Sequence, residues 1–180
     1  MRVIAGEFRS RRLKSLSGPH LRPTPDRLRE TLFDILAPRI EGVTFLDAYA
    51  GTGAVGIEAL SRGAHEAIFI ERSRAAADVI RGNLQSLGIE ARAQVFCGKA
   101  LVVLERLKSD LVFLDPPYAK GLGERALAGL LEHGWLKPGA VLVFERGEGE
   151  PDLRPAGYEA IDERRYGAAK VLFLRWPGDA

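Results

Sequence analysis

The chain has 180 residues, 46% hydrophobic and 28% charged, which suits one soluble domain with a full core. A single cysteine, Cys97, excludes a disulfide framework, and His20, His65 and His133 are too scattered for a metal site. No apolar run spans a bilayer and the amino terminus lacks a signal-peptide core, so a cytoplasmic protein is expected.

The net charge is +2, but residues 1–29 carry eight basic side chains against Glu7 and Asp26. Such a concentration is an electrostatic footprint for a polyanion. Arg2-Val3-Ile4-Ala5, Gly6 and Arg11-Arg12-Leu13-Lys14 read as a basic β-hairpin arm over 1–22, ahead of a domain over 23–180. Arg9, Arg11, Arg12, Lys14 and Arg22 are its candidate phosphate contacts. Thr24 before Pro25 predicts a helix start, with Thr24 as N-cap. Leu28, Leu32, Phe33, Ile35 and Leu36 then line one helical face for the core.

From Val43 the chain alternates strand and helix. Strands are predicted near 43–47, 67–71, 93–97, 110–115 and 140–145, and helices near 54–62, 74–87, 99–107 and 122–133. Gly63, Gly88 and Gly139 act as punctuators. Tyr158–Arg164 and Lys170–Trp176 read as two consecutive strands, so five βα units precede a terminal hairpin.

The first strand runs into Asp47 and then Gly51-Thr52-Gly53, which opens a helix. Strand, glycine loop and helix start form a nucleotide-binding turn, where backbone approaches a ligand closely. Gly51, Gly53 and Gly56 also fit the dinucleotide fingerprint. A carboxylate at Asp47 suits a cationic or amine-bearing ligand better than a pyrophosphate, and there is no second mononucleotide-binding half. Glu71 closes the second strand twenty residues after Gly51, the spacing of a carboxylate that accepts from ribose hydroxyls. Asp115-Pro116-Pro117-Tyr118 closes the fourth. Its prolines fix φ and remove two donors, leaving a stiff turn with acceptors beside an aromatic ring. That combination suits a planar group bearing an NH2.

Asp47-x-x-x-Gly51-x-Gly53 resembles the S-adenosylmethionine loop of Rossmann-like methyltransferases. Asp115-Pro116-Pro117-Tyr118 resembles the motif of methyltransferases that modify exocyclic base amines or the glutamine amide. Together with Arg2-Val3-Ile4-Ala5-Gly6, Arg12-Leu13 and Arg22-Pro23-Thr24-x-Asp26-Arg27-x-Arg29-Glu30-Thr31-Leu32-Phe33, these resemble the bacterial 16S rRNA guanine-N2 methyltransferase family of RsmD type over nearly the whole chain.

The resemblance implies an α/β, Rossmann-like, seven-stranded class I methyltransferase fold with the basic hairpin as an extension. It implies S-adenosyl-L-methionine as cofactor, no metal, and methylation of one guanosine amine of 16S rRNA in an assembling 30S particle. A monomer without membrane contact is expected. Asp115, Pro116, Pro117 and Tyr118 would be catalytic, Asp47, Gly51, Gly53 and Glu71 would hold the cofactor, and the arm would hold RNA. Where many methyltransferases place an acid or amide for the adenine amine, Cys97-Gly98-Lys99-Ala100 offers Lys99, a donor only. Backbone groups of Gly98, Lys99 and Ala100 would serve instead. Two alternatives remain, an adenine-N6 DNA methyltransferase and a non-catalytic RNA-binding assembly factor.

Overall fold

The segments Thr44–Asp47, Glu66–Glu71 and Ser109–Leu114 are apolar almost without alternation, the pattern of strands covered on both faces. In the computed structural model they become β1, β2 and β4 of one seven-stranded sheet; the structure describes residues 1–18, 23–99, 108–117 and 121–179. The other strands are β3 (Ala93–Cys97), β5 (Leu136–Gly147), β6 (Glu159–Tyr166) and β7 (Ala169–Arg175). Their order is β3-β2-β1-β4-β5-β7-β6. Strands β1 to β5 pair in parallel, and β7 runs antiparallel between β5 and β6. The order reverses at β1, between β2 and β4, and a crevice opens at the carboxyl ends of strands at such a point.

Alternation along the strands divides the core. Phe45, Phe69, Phe113, Val143 and Phe173 lie under α1 (Asp26–Leu36), α2 (Ala54–Ser61) and α3 (Arg74–Leu87). Leu46, Ile68, Val112, Leu142 and Leu172 lie on the opposite face, against α4 (Leu122–Glu132). Gly56, inside α2, packs flat on Phe69. A Cβ there would stand 2.3 Å from the ring, so its glycine serves helix–strand approach.

Four details depart from expectation. Pro25, not Thr24, occupies the N-cap of α1, with ψ 145°, and Thr24 makes no capping bond; it lines the cleft described below. Gly139 does not end an element but sits inside β5 with φ +83°. There the β4–β5 register slips between Ser109 and Leu111, so β5 begins earlier than the apolar run suggests. No helix follows β5 before β6, so the fifth βα unit is absent. The helix expected over 99–107 lies, from residue 100 on, outside the described residues.

The amino-terminal segment is also more than an appended hairpin. It holds one antiparallel bridge, Arg2 with Arg12, and turns tightly between. Several of its backbone groups also bond to the domain. The Ile4 and Ala5 N–H groups donate to the Glu58 carboxylate at 2.9 and 3.0 Å, and the Phe8 N–H donates to Ser61 Oγ at 3.0 Å. Gly6 has φ +85°, and a Cβ there would meet the Ser61 carbonyl at 1.9 Å. Val3, Phe8 and Leu13 are buried in the α1–α3 side of the core. At about 1.5–3 kcal/mol for each buried apolar side chain, this docking contributes several kcal/mol. Arg29 of α1, fully buried, donates from Nη2 to the Arg2 carbonyl at 3.0 Å and to Asp26 at 2.7 Å. The expected boundary at 22/23 falls on a residue outside the description.

Candidate active site

A cleft of about 2400 Å³ opens at the carboxyl ends of the parallel strands. One wall is the loop after β1. The Ala50 N–H donates to the Ile70 carbonyl at 3.0 Å, and Gly53, with φ +83°, turns the chain into α2. Few residues other than glycine adopt that φ. Glu71 then closes the wall: Oε2 accepts the Gly51 N–H at 2.7 Å and Oε1 accepts the Ser73 N–H at 2.8 Å. A carboxylate offers about four lone-pair sites, so two remain for a ligand diol. A Cβ on Gly51 would find nothing within 4 Å, leaving open space against the loop.

Asp47 stands behind this wall. It is buried, lies outside the cleft lining, and its Oδ2 accepts the Gly56 N–H at 3.1 Å. Burial pushes its carboxyl up to about 7, the Gly56 bond works in the opposite direction, and the negative charge of Glu71 adds to the rise. Asp47 thus stands one layer behind the cleft wall, joined to the loop and helix α2 through Gly56. Tyr49, between Asp47 and Gly51, lines the cleft half-buried, and burial raises its hydroxyl.

The opposite wall begins at the end of β4, where Asp115, Pro116 and Pro117 line the same cleft. Gly98 and Lys99 border it beyond β3. The Gly98 N–H is already donated to the Glu71 carbonyl at 3.0 Å, so it is not spare for an adenine. Ala100, Tyr118 and Arg22 lie outside the described residues.

The structure thus gathers Gly51, Glu71, Gly98, Lys99, Asp115, Pro116 and Pro117 in one place. Arg9, Arg11, Arg12 and Lys14 are exposed but not in the cleft wall. The segment does lead there. The Lys14 N–H donates to Asn83 Oδ1 at 2.8 Å, while Asn83 Nδ2 donates to the Lys14 carbonyl and the Thr52 carbonyl of the glycine loop. Gly18 then joins the lining.

Several lining residues lie outside the expected site, Arg164 and Arg165 being legible in the sequence only, with Lys170, as an alternative basic region for RNA. Arg27 comes from α1, Arg125 from α4, and Arg164, Arg165 and Tyr166 from the end of β6, where the β6–β7 hairpin overhangs the cleft beside β5. Separate in sequence, they give no local signal. Glu145 had one: like Asp47, Glu71 and Asp115, it is the acid next after an apolar strand run.

The strand order, glycine loop, acid ending β2 and Asp-Pro-Pro turn ending β4 together define a Rossmann-like class I methyltransferase. The known proteins that the chain resembles narrow this. It matches the family described as conserved hypothetical protein 95 over residues 1–175. It is 38% identical to the ribosomal RNA small subunit methyltransferase D of Haemophilus influenzae over 172 residues, 93% of this chain and 89% of that one. The yhhF structure of Escherichia coli superposes with a TM-score of 0.86 at 34% identity, covering 98% of this chain and 97% of that one. An RNA methyltransferase of Salinibacter ruber, solved with S-adenosyl-L-homocysteine, shares the fold at 17% identity and a TM-score of 0.67, covering 88% of this chain and 96% of that one. The chain belongs to the ribosomal RNA small subunit methyltransferase D family.

Proposed function

We propose that this chain transfers a methyl group from S-adenosyl-L-methionine to the exocyclic N2 of one guanosine in small-subunit ribosomal RNA, acting as a monomer on an assembling 30S particle. The observation that carries this reading is the shared cleft, with Gly51 and Glu71 on one side and Asp115-Pro116-Pro117 on the other. The Haemophilus relative's name supports the ribosomal substrate, and the Salinibacter structure's ligand supports the donor.

The residues present fit the donor. Glu71 has lone pairs left for ribose hydroxyls, its negative charge favours a cation beside the loop, and such a cation draws Asp47 toward its ionised form. The bound donor supplies an already activated methyl group on a sulfonium. Everything else falls to the protein. The guanine amine is a weak nucleophile because its lone pair is delocalised into the ring. Asp115 and the Pro116 carbonyl accept its two N–H protons, which aims the lone pair across the cleft and stabilises positive charge developing on nitrogen. Tyr118 stacks on the base, which leaves its own stack to enter. Holding both partners in line supplies much of the acceleration. The departing proton passes to Asp115 or to water.

Around the mouth, Arg27, Arg125, Arg164 and Arg165 take the RNA backbone, continuing the basic path of Arg9, Arg11, Arg12 and Lys14. An assay with labelled donor tests the reading by offering free 16S RNA, small-subunit particles lacking the modification, and duplex DNA. Label should appear on guanine N2 of the particles. Label on adenine N6 of the DNA would replace this reading with the DNA-methyltransferase one.

A further inference from the structure

Four parallel strands of this sheet run into a carboxylate: β1 into Asp47, β2 into Glu71, β4 into Asp115 and β5 into Glu145. The mechanism above uses the first three. Glu145 is buried at 6% exposure, yet it lines the cleft.

Register places it. Leu114, the last residue of β4, pairs with Phe144 of β5, so Asp115, just past the end of β4, and Glu145 each follow one member of a pair between neighbouring parallel strands. Such strands run about 4.8 Å apart. Val143, two residues before Glu145, faces the α1–α3 side of the sheet, as does Phe113 two residues before Asp115. Both acids therefore leave the sheet toward the same side, and both border the same cavity. They suit a ligand that brings donors to both.

Guanine is such a ligand. Its N2 amine and its N1–H are adjacent donors on one edge, whereas adenine presents an acceptor at N1. We infer that Glu145 accepts the N1–H of the target base while Asp115 accepts from the N2 amine, so Glu145 is a specificity-determining residue; this rests on the guanine-N2 reading above. The bond would also draw N1 toward its anionic form and so push electron density toward N2, aiding attack. A site that hydrogen-bonds a substrate N–H rejects an analogue lacking it, because the buried acceptor is left unsatisfied.

The test replaces the target guanine, at the position mapped by labelled methyl transfer, with 2-aminopurine in a reconstituted small-subunit particle. This base keeps the N2 amine and loses the N1–H. The wild-type enzyme should prefer guanine by about 10- to 100-fold in kcat/KM, the range of a hydrogen bond to a charged group. Glu145→Ala should slow guanine by that factor, leave 2-aminopurine nearly unchanged, and so erase the preference. Binding of S-adenosyl-L-homocysteine should stay as in the wild type. Should the Ala variant not fold, Glu145→Gln decides: its carbonyl still accepts but carries no charge, so guanine should slow by about 10-fold with 2-aminopurine unaffected. Equal losses on both bases, or an undiminished preference, would overturn the role of Glu145 alone. A wild-type enzyme that methylates no guanine N2 in the control particle would overturn the underlying reading instead.

Discussion

Glu71 accepts the Gly51 N–H at 2.7 Å, so the carboxylate ending β2 holds the loop that follows β1. One side chain thereby shapes the loop and lines the cleft. Glu71→Ala should weaken binding of the donor or its demethylated product by about 1–3 kcal/mol, the cost of a lost charge-assisted hydrogen bond. Titration calorimetry reads this directly and should show no binding of NAD. Tight NAD binding with no response to S-adenosyl-L-methionine would reverse the cofactor assignment.

Asp115→Ala should lower turnover by roughly 10²–10³ while product affinity changes little, because its acceptor role grows as charge develops on nitrogen. Tyr118→Ala should impair both turnover and RNA binding, and Tyr118→Phe should be nearly neutral. A Phe variant as impaired as the Ala variant would assign the function to the hydroxyl rather than the ring.

Asp47 sets a pH dependence. Its carboxyl, raised by burial from 3.8 to about 7, binds a proton more readily in the folded state than in the unfolded one. Stability from this group is therefore full below the unfolded value and is lost as pH rises through about 7, a change on the order of 4 kcal/mol. Asp47→Asn mimics the protonated form and should flatten thermal stability across this window. A cationic donor favours the ionised form, so its affinity should rise with pH in the wild type, with proton release on binding. Affinity that follows pH equally in the Asn variant would dissociate Asp47 from the donor.

RNA binding should draw on both basic regions. Arg27, Arg164 and Arg165 line the cleft, and replacing all three with Ala should reduce the slope of log affinity against log salt by about 0.7–0.9 per lost contact. Replacing Arg9, Arg11, Arg12 and Lys14 should do the same without changing donor affinity. An unchanged slope for either set removes that set from the interface. Lys170, by contrast, is buried and should contribute nothing.

Removal of the amino-terminal arm should unfold the protein rather than yield a folded enzyme deficient in RNA binding. Phe8→Ala alone should cost about 3 kcal/mol in chemical denaturation, the order of a buried aromatic truncated to Ala. A cooperative, equally stable variant lacking residues 1–14 would show that the docking bonds to Glu58 and Ser61 are dispensable.

The reach of the sequence can be judged residue by residue. Apolar runs of strand length, glycine loops and helical periodicity are local signals, and they located β1 to β4, β6, β7, α2, α3 and α4 to within a residue or two. They also marked Gly51, Glu71 and Asp115, because strand-end acids and loop glycines are visible in the chain itself. The bulge at Gly139 was hidden, since it depends on the pairing of Ser109 with Leu136 across the sheet. The arm was legible as basic but not as core, because its partners Glu58, Ser61 and Asn83 lie more than fifty residues on.

By itself, then, the amino-acid sequence determined the class of fold, the glycine loop and the Asp-Pro-Pro segment after β4, since each is written in contiguous residues whose local conformations follow from their own sterics. Tertiary structure alone decided that Asp47 sits behind the loop and that Glu145 lines the same cleft as Asp115. It also decided that arginines from α1, α4 and β6 share one rim. Register between strands and the packing of helices across the sheet set those relationships, and both are sums of many weak long-range contacts that no single segment encodes.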